Sequence, residues 1–382
     1  MVEFEEIAHC NGKITLTTVE MPDDKIGITV KFEGSGGPMS LITVYAVSPG
    51  IVIENVPVGG MGVPFPQPRL PNSALVMIGS DSEGKFGHNC PSCNSYWRSG
   101  PHPNNCPYCG IRAESFHFLS KSHLEYVHHY CKKWDQASLA DVGTEFVIDF
   151  DEIAAATRGT ASKPEFYIAE QRQQTLLNCP ECGEFNDIIG RFGHCSGCFT
   201  RNDLNVFVNE IVPDLRKQLK NGHQPSRCLQ TAVSALEVFV KQYCKQLALE
   251  IPLIPERKDK LTKPNLRNWD VVDGMFSEFF GIKIKPKFSE ETWSLCNKLI
   301  LRRHVYEHNG GVVDQEFIDK SSATDLTVGQ LIKETPESVH NFLTASTKFC
   351  GIIHDGFHRL IPPLQKRIDY HKEVLERRKK WG

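Results

Sequence analysis

The chain has 382 residues, 40% of them hydrophobic and 23% charged, with a formal net charge of −3. At about 150 residues per domain this length predicts two or three globular domains and excludes a mainly disordered or fibrous chain. The small negative charge excludes a protein that coats nucleic acid by bulk positive charge, although it leaves room for a local basic patch. The acidic start and the lack of a long apolar run predict neither a secretory signal nor a membrane partner, so we expect a cytoplasmic protein.

Residues 1–80 are predicted to form an N-terminal β segment. β-branched residues partly alternate with polar ones at 13–19 and 26–32, and 41–47 and 50–53 follow with turn residues between them. Frequent turns of this kind favour a small antiparallel sheet. Residues 59–71 are rich in Gly and Pro and are interpreted as a connector.

Eight of the fourteen cysteines form two clusters with the same spacing, Cys-x2-Cys-x12-Cys-x2-Cys. They are Cys90, Cys93, Cys106 and Cys109, then Cys179, Cys182, Cys195 and Cys198. Two cysteines three positions apart can direct both sulfurs at one point, and two such knuckles complete a tetrahedral shell that suits Zn²⁺. The spacing resembles that of zinc ribbons, at about 88–112 and 177–201. We therefore expect two structural Zn²⁺ ions in a reducing compartment.

Two alternatives remain open for these clusters: rubredoxin-like iron, or a single folded unit that holds both. A closed four-cysteine shell leaves no open coordination position, so catalytic zinc is not expected. Nearby histidines (His88, His102 and His194) are interpreted as bystanders. A second group of side chains can either contact nucleic acid or serve as packing residues: Tyr96, Trp97, Arg98, Arg191 and Phe192.

The region 81–205 also contains α/β material between the clusters, with a predicted helix at 119–136, a strand at 145–150 and a loop at 157–164. From about residue 206 the pattern becomes helical. Apolar residues recur at three and four positions over 228–249, and further helices are predicted at 269–280, 289–308, 336–358 and 367–381. Ser289 is placed to cap the third of these five helices and Gly310 to end it. The predicted fold class is thus multidomain α+β, with an all-α bundle over 206–382.

The third helix ends in a run of five candidate catalytic residues, Arg302, Arg303, His304, His308 and Asn309, followed by Gly310-Gly311. Arg303-x4-His308, with His304 in the polar position after the arginine, resembles the signature of the HEPN superfamily, and Arg302-x5-His308 fits as well. The run that follows His308 is similar to HEPN families of abortive-infection and other prokaryotic defence proteins. The resemblance covers about residues 220–365. It implies a HEPN-like helical fold, an RNA substrate, metal-independent endoribonuclease activity at a homodimer cleft, and a phage or host protein as trigger.

The chemistry of these residue types agrees with that implication. Cleaving RNA without a metal needs a base for the 2′-hydroxyl, an acid for the leaving 5′-oxygen and positive charge on the phosphorane. Histidine can act as acid or base, and arginine binds phosphate oxygens. His308 is then the base or acid, His304 a second proton carrier and Arg303 the phosphate clamp. The products are a 2′,3′-cyclic phosphate and a 5′-hydroxyl.

Other interpretations of the motif stay open. Arg303 and His308 lie about 140° apart around an ideal helix, so a distorted turn or a second subunit has to bring them together. Arginines near a helix C-terminus also oppose its dipole, and some HEPN members only bind or dimerise. Glu237 can reach the motif or can be a solvated carboxylate, and the basic C-terminal tail can hold RNA phosphate or be a solvated helix end. The alternative function is a non-catalytic zinc-ribbon protein that binds nucleic acid or protein, with a HEPN-like dimerisation domain.

Overall fold

The computed structural model describes residues 5–8, 12–22, 25–34, 42–48, 50–56, 70, 73–81, 83–149, 170–172, 175–264, 268–321 and 326–381. These residues form two compact units, one comprising Met1–Phe199 with Leu364–Gly382 and the other Thr200–Pro363. The predicted connector at 59–71, apart from Leu70, and the predicted loop at 157–164 lie outside the described residues. β strands lie in the N-terminal part of the chain, and the C-terminal part is mostly helical.

Short strands dominate the first unit. In the described part of the chain they are β1 (Glu5–Ala8), β2 (Gly12–Met21), β3 (Lys25–Gly34), β4 (Ile42–Val47), β5 (Val52–Val56), β6 (Ala74–Gly79), β7 (Phe86–Asn89), β8 (Tyr96–Ser99), β9 (Glu145–Asp149), β10 (Glu170–Arg172), β11 (Thr175–Asn178) and β12 (Phe185–Ile188). Their pairing gives four small sheets with the strand orders β1-β10, β3-β2-β9, β5-β4-β6 and β11-β12-β8-β7. Every described pairing is antiparallel.

Helices account for most of the second unit. The α-helices in the described ranges of both units are α1 (Lys121–Ser138), α2 (Asp203–Val206), α3 (Val212–Lys220), α4 (Pro225–Glu250), α5 (Pro255–Thr262), α6 (Trp269–Phe280), α7 (Glu290–Asn309), α8 (Gln315–Ser321), α9 (Pro336–Leu360) and α10 (Gln365–Trp381). A π-helical turn, Phe207–Ile211, joins α2 to α3. Helix α1 and helix α10 belong to the first unit. None of the helices in the described ranges has a stretch both long and apolar enough to cross a membrane.

Two three-stranded sheets and α1 share a hydrophobic core. In β2 the alternation predicted from sequence buries Ile14 and Leu16, and Leu16 lies opposite Phe146 of β9. Residues 145–149 therefore extend the N-terminal sheet. Helix α1 packs on this core through Tyr126 and Tyr130, whose hydroxyls donate to backbone carbonyls of β6 at 3.1 and 3.3 Å. These hydrogen bonds satisfy the polar ends of two buried aromatic side chains.

The two cysteine clusters lie in one folded unit, which is one of the alternatives that the spacing left open. Strands β7 and β8 carry the first cluster, β11 and β12 the second, and β8 pairs with β12 to make a single four-stranded sheet. The pairing sets Asp187 opposite Arg98. Backbone hydrogen bonds outside the sheet also join the clusters, from Asn104 N to Ser196 O at 2.8 Å and from His194 N to Pro107 O at 2.8 Å.

A buried arginine sits where the two ribbons meet. Arg98 is 0% exposed, and its guanidinium lies 2.6 Å from Asp187, 2.9 Å from Asp81 and 2.6 Å from Glu83. Trp97, on the same strand, is also 0% exposed. The suggestion that Trp97 and Arg98 contact nucleic acid is therefore wrong, because both side chains belong to the interior of the sheet. A buried charge of this kind is tolerated only when it is paired and hydrogen-bonded.

The second unit is built around α4 and α9. The apolar stripe predicted for α4 is buried as expected, with Leu229, Val233 and Leu236 all facing the interior. The hydroxyl oxygen of Ser289 accepts the backbone N–H of Thr292 at the start of α7, and Gly310 ends that helix with a φ of 61°. Both end signals predicted for α7 are therefore confirmed.

Polar side chains lie between α4 and α9 in the interior of the second unit. Tyr243 and His354 join α4 to α9, with Tyr243 Oη 2.7 Å from His354 Nδ1. Arg201 forms a bidentate pair with Asp203 at 2.8 and 2.9 Å, and its backbone N–H donates to His358 Nε2 at 3.2 Å. Burial and the charge of Arg201 lower the pKa of His354 to about 4. The neutral form of His354 therefore belongs to the folded state at neutral pH.

Replacing Asp187 with Ala is expected to destabilise the first unit by about 3–5 kcal/mol, because it leaves Arg98 buried without one of its partners. Denaturant unfolding, followed by tryptophan fluorescence, measures the change. Glu33→Ala serves as the matched control, since Glu33 pairs with exposed lysines and such pairs contribute about 0–1 kcal/mol. Equal stabilities for the two variants would contradict a structural role for the Arg98 cluster.

The second unit is expected to lose stability as the pH falls from about 6.5 to about 4. Over this window an unfolded histidine takes up a proton that folded His354 resists, so the unfolded state binds more protons. The full effect is on the order of 3 kcal/mol. Unfolding of the wild type and of His354→Gln is compared at each pH, so that acid effects elsewhere cancel. The free energy of unfolding of the wild type minus that of His354→Gln should decrease toward acid pH. His223→Gln changes an exposed histidine of the same unit and is the control, for which this difference should stay constant.

Candidate functional site

Each cysteine pair lies in a tight knuckle of the backbone. In the first knuckle Cys90 N donates to Ser95 O at 3.0 Å and Asn94 N donates to Cys90 O at 2.9 Å. The corresponding bonds recur around Cys179 in the second ribbon. The residue that follows the second cysteine of each knuckle has a positive φ: Asn94, Gly110, Gly183 and Phe199. Glycine adopts this conformation without strain, which explains the Gly110 and Gly183 seen in the sequence.

The knuckles bring four sulfur atoms together in each cluster. The Sγ–Sγ distances are 3.6 Å for Cys90–Cys109 and 3.7 Å for Cys93–Cys106 in the first cluster. In the second they are 3.7 Å for Cys179–Cys198 and 3.5 Å for Cys182–Cys195. A tetrahedral ion with metal–sulfur bonds of about 2.3 Å requires sulfurs about 3.8 Å apart. Both clusters therefore have the geometry of a zinc-type site with four cysteine ligands.

Sharing of protons makes the metal-free thiols of one cluster unequal. The hydrogen bond between Cys106 and Cys109 raises the pKa of Cys106 and lowers the pKa of Cys109 to about 5. In the second cluster, burial raises the pKa of Cys195. A bound Zn²⁺ requires thiolates, so metal binding has to release these protons and its affinity has to fall at acid pH.

The nearby histidines make other contacts. His88 Nε2 lies 3.0 Å from Gly100 O, and His194 Nδ1 lies 3.2 Å from Phe199 O. The carbonyl of His102 accepts a bond from Arg367. Within the described residues, the groups able to hold a metal ion consist of the eight cysteines alone. Arg191 is exposed and Phe192 half-buried, so these two remain on the surface of the second ribbon.

The second candidate site lies at the C-terminal end of α7. His304 and His308 are both exposed, and their ring centroids are 4.3 Å apart. This is the spacing expected of residues four positions apart on one helix face. Neither ring is buried against the core of its own unit. Two imidazoles so close together can contact one ligand at the same time.

The two arginines of the motif have different surroundings. Arg302 Nη1 lies 3.2 and 3.3 Å from the carboxylate oxygens of Glu334, whose side chain is 0% exposed. Tyr306 Oη and Ser338 Oγ also donate to Glu334, at 3.4 and 3.1 Å. Arg302 is thus the counter-ion of a buried carboxylate and holds the segment before α9 against α7. Glu334 lies 32 positions from Arg302 along the chain, so no local pattern in the sequence marks it as the partner.

Arg303 faces a different pair of carboxylates. Its guanidinium lies 3.5 Å from Glu237 on α4 and 2.9 Å from Glu307 one turn later on α7. These side chains are only partly buried, with Arg303 20%, Glu237 22% and Glu307 33% exposed. Glu237 therefore does reach the motif, one of the two interpretations that the sequence left open, whereas nothing in the sequence indicated Glu307. Arg303 and Arg302 are almost equally exposed, at 20% and 16%, but the carboxylates paired with Arg303 are partly exposed whereas Glu334 is not.

Asn309 supports the turn that follows the motif. Its side-chain amide donates to the Asp314 carboxylate, and the other oxygen of that carboxylate accepts the backbone N–H of Phe317 at 2.7 Å. Asp314 thereby links the end of α7 to the start of α8. The structure thus brings His304 next to His308, and Arg303 next to Glu237 and Glu307. Asn309 stabilises the turn between α7 and α8.

The protein as purified is expected to contain two Zn²⁺ ions per chain, because each cluster offers a complete four-sulfur shell. Native mass spectrometry counts the ions directly. Cys106→Ser and Cys195→Ser should each lower the count to one, and the matched control Cys228→Ala, a buried cysteine of α4, should keep two. Iron in place of zinc would support the rubredoxin-like alternative. An unchanged count in both ligand variants would contradict the assignment.

Comparison with known proteins adds no relative to this description. No family model, no curated protein and no solved structure matches the chain. Its function therefore has to be argued from the two sites themselves: the paired four-cysteine clusters of the first unit, and the arginine and histidine patch at the end of α7.

Proposed function

We propose that the chain is a metal-independent endoribonuclease of the HEPN type that acts in prokaryotic antiviral defence. The observation that carries the proposal is the exposed pair His304 and His308, with ring centroids 4.3 Å apart and Arg303 on the same helical turn as His304. The resemblance of this helix and of the His308-Asn309-Gly310-Gly311 run to HEPN defence proteins supports the same proposal. An RNA substrate, a homodimer and a phage or host protein trigger are parts of it.

The proposed reaction moves two protons and exchanges one bond at phosphorus. One imidazole, neutral at the start, removes the proton of the 2′-hydroxyl as that oxygen attacks phosphorus. The other, protonated at the start, donates a proton to the departing 5′-oxygen. Arg303 contacts the phosphorane oxygens and offsets their charge. The products are a 2′,3′-cyclic phosphate and a 5′-hydroxyl, so no water is consumed in this step.

Glu237 and Glu307 act on Arg303 in this scheme. In the free protein they hold the guanidinium, and a phosphate that binds Arg303 has to compete with two carboxylates. A second copy of the chain would place another Arg303, His304 and His308 at the same cleft and so double the positive groups available to the phosphate. This arrangement would also remove the difficulty that Arg303 and His308 point about 140° apart on one straight helix.

One observation favours the alternative, a non-catalytic zinc-ribbon protein with a helical dimerisation domain. The ion pairs of Arg303 with Glu237 and Glu307 already account for its position without any ligand. In that case the arginine joins α4 to α7, and the protein binds nucleic acid or a partner protein without cleaving it. Cleavage assays separate the two functions.

Purified protein without added divalent metal is expected to cleave labelled single-stranded RNA and to leave cyclic-phosphate ends. His308→Ala should reduce the rate by at least about 100-fold, because general acid–base catalysis typically contributes that much. Strong chelators are avoided, since they would strip the cysteine clusters and unfold the first unit. His223→Ala is the matched control and should cleave at the wild-type rate. This exposed histidine precedes the start of α4, and that start lies roughly 18 Å along the helix from Glu237.

The arginines give a second readout of the same experiment. Arg303→Gln should lower the cleavage rate while the melting temperature stays near that of the wild type. Arg302→Gln should lower the melting temperature, because it leaves the buried Glu334 without its cation. Cleavage that persists in both His308→Ala and Arg303→Gln would refute this site. RNA binding without cleavage in the wild type would favour the non-catalytic alternative.

A further inference from the structure

Helix α10 is fastened to the second cysteine cluster, although the two are far apart in sequence. The backbone N–H of Leu364, just before the helix, donates to Cys198 O at 2.8 Å. One turn later Ile368 is 4% exposed and packs among Cys179, Cys195 and Cys198. The helix therefore begins directly on the ligands of the second site, and both belong to the first unit.

Two more side chains of α10, those of Arg367 and His371, contact the ribbons. Arg367 Nη2 donates to His102 O in the first ribbon at 3.0 Å. The ring of His371 lies so close to the knuckle formed by Cys179 and Cys182 that a Cβ atom built on Gly183 would overlap it. The contacts at 364, 367, 368 and 371 follow the three- and four-residue spacing of one helix face.

The rest of α10 extends away from these contacts and is basic. Residues 375–380 are all exposed, and the helix carries a group of exposed cations at Lys372, Arg377, Arg378, Lys379 and Lys380. Residues 365–380 hold seven Lys and Arg against three Asp and Glu, which gives a net charge of +4 in a chain whose overall charge is −3. Positive charge is thus concentrated on one segment, whose first turns contact the second cysteine cluster and whose residues 375–380 are exposed.

We infer that α10 is a nucleic-acid-binding arm whose basic end contacts the phosphates of single-stranded RNA and whose base is held by the second cysteine cluster. The inference rests on the proposed function for its choice of RNA. Four consecutive cations, Arg377 to Lys380, are set about 100° apart and so point to all sides of the helix. A flexible single strand can wrap around the helix and bring its phosphates to cations on several sides. Tyr370, 61% exposed on the same helix, offers a ring on which a base can stack.

A lipid surface fits this helix less well. Helices that lie on membranes carry a broad apolar face opposite their cations. In α10 the apolar residue that is well buried, Ile368, is already packed against the cysteine cluster. Beyond it eight of the twelve residues at 369–380 are charged, and the exposed large apolar side chains there, Tyr370 and Leu375, are too few to form a broad apolar face.

The test measures RNA binding in the full-length zinc-loaded protein that carries His308→Ala, so that cleavage does not intervene. A labelled single-stranded RNA of about 20 nucleotides is titrated at several salt concentrations. The variant R377Q/R378Q/K379Q/K380Q should raise Kd at least about tenfold and lower the slope of log K against log salt by about 2–3, the value for losing three or four phosphate contacts. A matched control, K258Q/K260Q/K263Q on and beside α5, removes exposed cations elsewhere and should leave Kd and the salt slope unchanged.

A second variant tests the fastening. Ile368→Ala, with its fold checked by circular dichroism and its two metal ions counted, should speed tryptic cleavage within α10 and raise Kd for RNA. An unchanged Kd and salt slope in the fourfold variant would overturn the inference, as would arm-dependent binding of phosphatidylcholine and phosphatidylserine vesicles in place of RNA. Because binding is measured in the His308→Ala background, failure of the arm and failure of the proposed cleavage reaction are read separately.

Discussion

Four sulfur atoms gathered within bonding distance of a single ion, twice over, are the constraint on which the first unit depends. Four thiols at these distances have to share protons or bind a cation, because thiolates without a counter-ion would repel one another. Strand pairs as short as β7–β8 and β11–β12 bury too little apolar surface to be stable alone. The clusters fix the ends of these strands, and the pairing of β8 with β12 and the start of α10 at Cys198 follow from where the clusters sit.

Arg98 explains why the face between the ribbons is closed to ligands. A guanidinium with three carboxylates around it and no exposure is compensated only when the two ribbons are joined, since Asp81 and Glu83 come from the chain before β7 and Asp187 from β12. Buried ion pairs of this kind contribute little net stability, yet a missing partner is strongly unfavourable. The cluster therefore favours one register of β8 on β12. Any contact of the first unit with nucleic acid has to involve other side chains.

The parts that sequence predicted are those with a local signal. Cysteine spacing specified both metal sites, and Ser289 and Gly310 marked the ends of α7 because caps are formed within one turn. Long-range partners had no such signal. The pairing of β8 with β12 joins residues almost ninety positions apart, and Glu334 contacts Arg302 from another segment. For Trp97 and Arg98 the sequence left surface contact and packing both open, since a strand buried on both faces cannot be distinguished from a half-buried one over four residues.

The distribution of charge bears on the proposed action of this chain on RNA. With a net charge of −3 it gains no general attraction for a polyanion, and at the motif Arg303 is already surrounded by Glu237 and Glu307. In the proposed function these carboxylates compete with phosphate for Arg303, which suits a site whose cation is needed in the transition state more than in substrate binding. The basic end of α10 differs, because its four cations at 377–380 are exposed and the histidine pair proposed for catalysis lies in the other unit. In the function proposed here, RNA affinity and RNA cleavage therefore reside in different units of the chain, and each can be lost without the other.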